Sequence, residues 1–184
     1  MSSNGLAISM AETLLAQLRD LWRARRAELD AVHHRTLSFG DYVVDRWEKA
    51  KALGFGEGAS IYDSALVFAD VKVGRQTWIG PNVILDGTGG LEIGEFCSIS
   101  AGVQIYSHDT VDWATSGGEA PYAYAATRIG SRCYVGPNSV IAKGVEIGDG
   151  AVIGAGSIVL SSVPAGMKAA GVPCRVIGPV SSKA

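Results

Sequence analysis

The chain repeats itself every six residues over most of its length after residue 60, and no other feature restricts its fold as much. From Ile61 the aliphatic residues align as IYDSAL, VFADVK, VGRQTW, IGPNVI and LDGTGG. After a shift of two residues at Thr88 to Leu91 the rhythm resumes as IGEFCS, ISAGVQ and IYSHDT, stops, and returns from Ile129 as IGSRCY, VGPNSV, IAKGVE, IGDGAV, IGAGSI and VLSSVP. Sustained short-period self-similarity means a solenoid. Six residues make a short strand plus a corner, and three such units close a triangular coil. The first aliphatic residue and the small residue four places on point inward, so each turn adds a layer to an aliphatic column. Successive turns, about 4.8 Å apart, share backbone hydrogen bonds. Glycine at the second position (Gly80, Gly94, Gly130, Gly148) is expected to supply corner geometry that a Cβ makes costly.

Composition sets the outer bounds. A chain of 184 residues fits one domain with a modest appendage, and 47% hydrophobic content excludes disorder. A net charge of -2 provides no basic field for nucleic acid. Cys97, Cys133 and Cys174 form neither a disulfide framework nor a zinc spacing, and a reducing cytoplasm suits them. The apolar run from Met10 to Leu18 is broken by Glu12 and Gln17 and reads neither as a signal peptide nor as a membrane span.

Before the repeat, residues 8–35 read as one amphipathic helix, with Leu15, Trp22 and Leu29 a heptad apart and Leu18 and Val32 on a neighbouring line. A second helix is expected from Asp41 to about Leu53. Such an arm packs on its own domain or on a sister subunit. Arg19, Arg23, Arg25, Arg26 and Arg35 beside Trp22 keep open a peripheral contact with an anionic membrane, although Asp20, Glu28 and Asp30 dilute that field. The adjacent His33 and His34 face different directions and suit exposed or capping roles better than metal binding.

The repeat, with "IGAGSIV" at 153–159 and "AAGVPCRVIG" at 169–178, resembles the bacterial hexapeptide-repeat acetyltransferases, close to sugar O-acetyltransferases of the galactoside and surface-polysaccharide type. The resemblance covers roughly residues 61–177. It implies a mainly β fold, a left-handed parallel β-helix with an N-terminal α-helical region. The left hand comes from the resemblance, since crossovers are otherwise right-handed. The expected segments are 1–58 (helical), 59–165 (β-helix, with a loop at 111–128) and 166–184 (closing segment). Acetyl-CoA as acyl donor and a homotrimer with sites between subunits are implied by the same resemblance.

Moving an acetyl group from a thioester to a hydroxyl needs a base, an oxyanion donor and an aligning slot. His108, the only histidine in the repeat region, falls where the rhythm halts. On position alone it is equally a loop residue without a task; the resemblance makes it the catalytic base. Asp109 or a backbone carbonyl is a candidate partner for its other ring nitrogen. Asn82 and Asp86 lie where the family orients the acceptor hydroxyl, but corner capping explains them equally well. In the loop, Asp112, Trp113, Glu119, Tyr122 and Tyr124 either read a sugar acceptor or anchor the loop on the coil wall. The resemblance assigns acetyl-CoA contacts to Tyr134, Arg175, Lys168 and Lys143. One departure is Pro137, which stands where galactoside acetyltransferases have a serine and which lacks an N–H, so the oxyanion donor must be a neighbouring amide or a side chain. Cys97 and Cys133 fill inward slots and are core residues, not nucleophiles.

A zinc-dependent γ-type carbonic anhydrase needs three histidines, and the coils hold one. No metal is therefore expected. Serine acetyltransferases share the coil, but their large helical domain and histidine-containing motifs are not expected here. An N-acetyltransferase acting on an amino sugar, or a non-catalytic β-helix scaffold, remains an alternative.

Overall fold

The computed structural model describes residues 3–181, so residues 1–2 and 182–184 of the expected terminal segments lie outside the described residues. The chain forms two compact units, the first ending at Asp45 and the second beginning at Arg46.

The first unit holds helices α1 (Ser3–His33) and α2 (Phe39–Val43). His34, at φ 51°, ends α1 and donates its amide to the Asp30 carbonyl at 3.0 Å. Arg23 pairs with Asp20 at 2.8 Å and Arg25 with Glu28 at 2.6 Å, so the basic stripe is partly neutralised along its own helix. The single second helix expected from Asp41 to Leu53 is instead two: α2 ends at Val43, and α3 (Arg46–Ala52) begins in the second unit. Val44 is extended, at φ −91° and ψ 119°. The consecutive β-branched Val43 and Val44 lower helix propensity at the break.

The second unit is the coil. Its first face stacks Ser60–Ile61, Trp78–Ile79, Ser98–Ile99, Tyr134–Val135 and Val152–Ile153, and ends on Met167–Gly171. Leu66–Phe68, Ile84–Asp86, Gln104–Ile105, Val140–Ile141 and Ile158–Val159 make the second face. Val71–Val73, Leu91–Ile93, Thr127–Ile129 and Glu146–Ile147 make the third. All these pairings between turns are parallel, which makes the unit a parallel β-helix. Cys174–Pro179 then folds back antiparallel on Met167–Gly171 and closes the end.

The inward rows are fully buried: Ile61, Ile79, Ile99, Val135 and Ile153 stack on one face, and Leu85, Ile105, Ile141 and Val159 on the next. Each such side chain contributes about 1.5–3 kcal/mol, so the column is stabilised layer by layer. Cys97 and Cys133 fill the inward small-residue slot, their thiols donating to the carbonyls of Gly130 at 3.0 Å and Gly148 at 3.2 Å.

The glycine expectation is corrected. Positive φ falls at the fourth position of the repeat, as in Asn82 (56°), Arg132 (58°), Asn138 (57°) and Gly150 (67°), and not at the second. The second-position glycines are needed for close approach: a Cβ on Gly94 would lie 2.6 Å from the backbone nitrogen of Ser131 in the next turn.

Helix α3 covers the open end of the first turn. There the Lys49 ammonium donates to the carbonyls of Tyr62 (3.0 Å), Asp63 (2.8 Å) and Ala65 (3.1 Å), which have no turn beneath them.

Candidate active site

Both interruptions of the six-residue rhythm fall at one place, the corner between the second and third faces. The first inserts Thr88 and Gly89 after the strand Ile84–Asp86. The second sends the chain out of the next turn before it rejoins the third face at Thr127–Ile129. The excursion starts a little earlier than the expected loop 111–128, because His108–Asp109 already pairs antiparallel with Ala123–Tyr124. A short helix, α4 (Val111–Thr115), lies between these strands.

His108 and Asp86 meet at this corner. Asp86 Oδ2 lies 2.5 Å from His108 Nδ1, with the Asp86 side chain 2% exposed and that of His108 30% exposed. Oδ2 also accepts the Ser107 amide at 3.1 Å, while Oδ1 accepts the Thr88 amide at 3.0 Å and the Thr88 hydroxyl at 2.5 Å. Burial pushes the Asp86 carboxyl up, but these donors outweigh it and hold it at about 2. An ionised Asp86 makes Nδ1 the protonated ring nitrogen and leaves the Nε2 lone pair as the basic site. Among the described residues no hydrogen bond engages Nε2. The Tyr124 ring stacks on the imidazole at 6.0 Å between centroids.

The partner of the ring nitrogen is thus Asp86, not Asp109. On an extended strand neighbouring side chains point to opposite sides, so Asp109 turns away and meets the Lys143 ammonium at 2.7 Å. This ion pair holds the Asp109 carboxyl below its ordinary range. Lys143, expected among the acetyl-CoA contacts, therefore sits beside the histidine corner and apart from Tyr134. Asp86, expected at the acceptor, is buried behind the imidazole. Asn82 occupies a corner at φ 56° with its side chain exposed, and its amide is 3.4 Å from the Ser64 hydroxyl. That position is what corner geometry requires.

Asp112 lies in the first turn of α4, and its carbonyl accepts the Ser116 amide at 3.0 Å. Trp113 and Tyr122 meet edge to face at 5.6 Å, and both remain exposed. The excursion therefore keeps three aromatic side chains, with Tyr124, at the surface by the histidine. Glu119 is also exposed.

Tyr134 and Lys168 share one outward row of the first face, through the register Tyr134, Val152, Lys168. Arg175 is paired with Ala170 on the closing strand, and its guanidinium donates to the Cys174 carbonyl at 2.8 Å. Neither cation has an acidic partner among the described residues. The first face is opposite the corner that carries His108, so one chain does not bring these groups together with His108. Beside Pro137, the amides of Gly136 and Asn138 donate to Ile153 (2.8 Å) and Ala101 (3.0 Å), so neither flanking amide is available to an oxyanion.

Sequence reasoning missed Thr88 and Ser107. The signal for Thr88 was the two-residue shift itself; Ser107 hides in the repeat as a small residue. Among the described residues no three His, Cys, Asp or Glu side chains converge as a metal site, and no helix is long and apolar enough to cross a membrane.

A triangular coil of parallel turns with a histidine–carboxylate pair at one corner defines the hexapeptide class, and the comparisons agree. The family "Bacterial transferase hexapeptide (six repeats)" matches residues 126–161. Galactoside O-acetyltransferase of Escherichia coli (strain K12) is 37% identical over 113 residues, 61% of this chain and 46% of that protein. Serine acetyltransferase of the same organism is 36% identical over 140 residues, 76% of this chain and 47% of that protein. A solved galactoside acetyltransferase in complex with coenzyme A superposes with a TM-score of 0.65 at 26% identity, covering 90% of this chain and 84% of that one. Over its coil the chain is similar to the bacterial hexapeptide-repeat transferases. It spans about half the length of the curated relatives it matches.

Proposed function

We propose that the protein is an acetyltransferase that moves an acetyl group from acetyl-CoA to a hydroxyl of a sugar or glycan by direct transfer. The observation that carries this reading is the imidazole of His108, fixed at Nδ1 by an ionised Asp86 and open at Nε2. Nε2 takes the proton of the acceptor hydroxyl as its oxygen forms a bond to the thioester carbon. When the carbon–sulfur bond breaks, the imidazolium returns that proton to the departing thiolate. No acyl-enzyme is needed, and the buried cysteines have no reach to substrate.

Tyr134, Lys168 and Arg175 hold the acyl donor in this reading, the two cations meeting its phosphates. Because they face away from His108, a working site takes the base from one subunit and the donor contacts from another, which supports a homotrimer. The outward row of the second face, Leu66, Ile84, Gln104, Val140 and Ile158, offers a mostly apolar surface for that contact beside the His108 corner. The exposed Trp113, Tyr122 and Tyr124 suit the C–H faces of a sugar.

The test is a thiol-release assay with acetyl-CoA against matched panels of sugars, amino sugars, their nucleotide-linked forms and serine, followed by NMR of the product. A new ester on a sugar hydroxyl is the expected result. A new amide or an acetylated serine would replace the acceptor assignment. A protein that neither releases thiol nor gains thermal stability from acetyl-CoA would instead be a scaffold.

A further inference from the structure

We propose that Thr88 is the positioning residue of the Asp86–His108 pair, and that the two extra residues at 88 and 89 are a clamp built into the corner of the coil. This rests on His108 being the base. Of the two carboxylate oxygens, Oδ2 is shared by the Ser107 amide and the imidazole, whereas Oδ1 is held by Thr88 alone, through its amide and its hydroxyl. A carboxylate held through one oxygen turns about its Cβ–Cγ bond and carries the bonded imidazole with it. Fixing the second oxygen sets the carboxylate plane, and with it the direction of the Nε2 lone pair.

The neighbouring residues are shaped for the same task. Gly89 donates its amide to the Ser107 hydroxyl at 2.7 Å, and that hydroxyl donates to the Asp86 carbonyl at 2.7 Å. A Cβ on Gly89 would stand 2.1 Å from the Ser107 carbonyl oxygen, and one on Gly87 2.4 Å from that of Asp70. The inserted segment is thus pressed between the turn below and the start of the excursion above. Thr88 itself is exposed, yet its hydroxyl turns back onto a carboxylate that is almost wholly buried. A plain six-residue repeat would supply neither of its two donors.

Two substitutions and two readouts test this. Thr88→Val keeps the shape and removes the hydroxyl; Thr88→Ser keeps the hydroxyl. Thr88→Val is expected to lower kcat by about ten- to a hundred-fold, with the KM for acetyl-CoA unchanged and the melting temperature at neutral pH slightly lower, because the ionised Asp86 loses a donor. Its nitrogen NMR spectrum should keep His108 in the Nδ1–H form that the ionised Asp86 dictates, but with the Nδ1 resonance displaced from that of the wild type and broadened. Thr88→Ser should behave as wild type in both measurements. A Thr88→Val enzyme with wild-type kcat and a wild-type Nδ1 resonance would overturn the proposal, as would a Thr88→Ser enzyme as impaired as Thr88→Val. If His108→Ala retained full activity, the base assignment would fail, and the Nδ1 resonances of the Thr88 variants alone would still decide whether Thr88 orients the pair.

Discussion

Asp86 stays ionised in a place where burial alone would neutralise it, and that conflict has a measurable consequence. Its folded pKa is lowered from the ordinary 3.8 to about 2 by the Thr88, Ser107 and His108 donors acting against burial. A depressed carboxylate contributes stability that is complete above the unfolded value and is lost as the pH falls through the folded one. The wild type should therefore lose this contribution between about pH 4 and pH 2, and Asp86→Asn, tracked by thermal melts, should show a flatter profile there. The same substitution removes the negative charge that fixes Nδ1 as the protonated nitrogen, leaving an amide that can accept from it or donate to it, and should lower kcat by about a hundred-fold or more at neutral pH. A variant with full activity would show that the carboxylate does not hold the base. The sequence made His108 conspicuous because it stands alone in the repeat region, and the family resemblance assigned its task. The choice of Asp86 over Asp109 was not legible, because it depends on which turn lies beneath the histidine and on the alternation of a two-residue strand that the repeat does not predict.

At the scale of the element, the corners carry the specific chemistry of the coil, and they divide the labour between two positions. The second position must be small because the next turn passes within contact distance of it; the fourth must accept a left-handed backbone. Gly94→Ala should cost about 3 kcal/mol through overpacking against the Ser131 backbone. Gly150→Ala meets nothing within 4 Å and pays only for φ 67°, about 1 kcal/mol. Urea denaturation of the two variants side by side checks the order; equal costs would contradict this division. Composition and periodicity made the strands and their inward rows readable, since a period of six with aliphatic residues at fixed places fixes which side chains enter the column. They did not separate the two glycine roles, because backbone approach between turns is a tertiary distance. Nor did they locate the break between α2 and α3, where two adjacent valines outweigh an otherwise helical pattern.

At the scale of the whole coil, the three faces differ in chemistry. The third presents Lys72, Glu92, Arg128 and Glu146 in an outward ladder, with Glu92 bonded to Lys72 at 3.1 Å and to Arg128 at 3.2 Å, which suits water. The second presents four aliphatic residues around one glutamine, Gln104, and suits another copy of the chain. Val140→Glu should therefore dissociate the assembly in light scattering and abolish transfer, while leaving the internal column folded; an oligomer that persisted would move the interface elsewhere. The central claim, that an Asp86-held His108 takes the proton of the acceptor, is tested most directly by the initial rate of acetyl-CoA-dependent transfer in His108→Ala. This variant should bind acetyl-CoA as the wild type does and transfer about a hundred- to ten-thousand-fold more slowly; transfer at the wild-type rate would contradict the account.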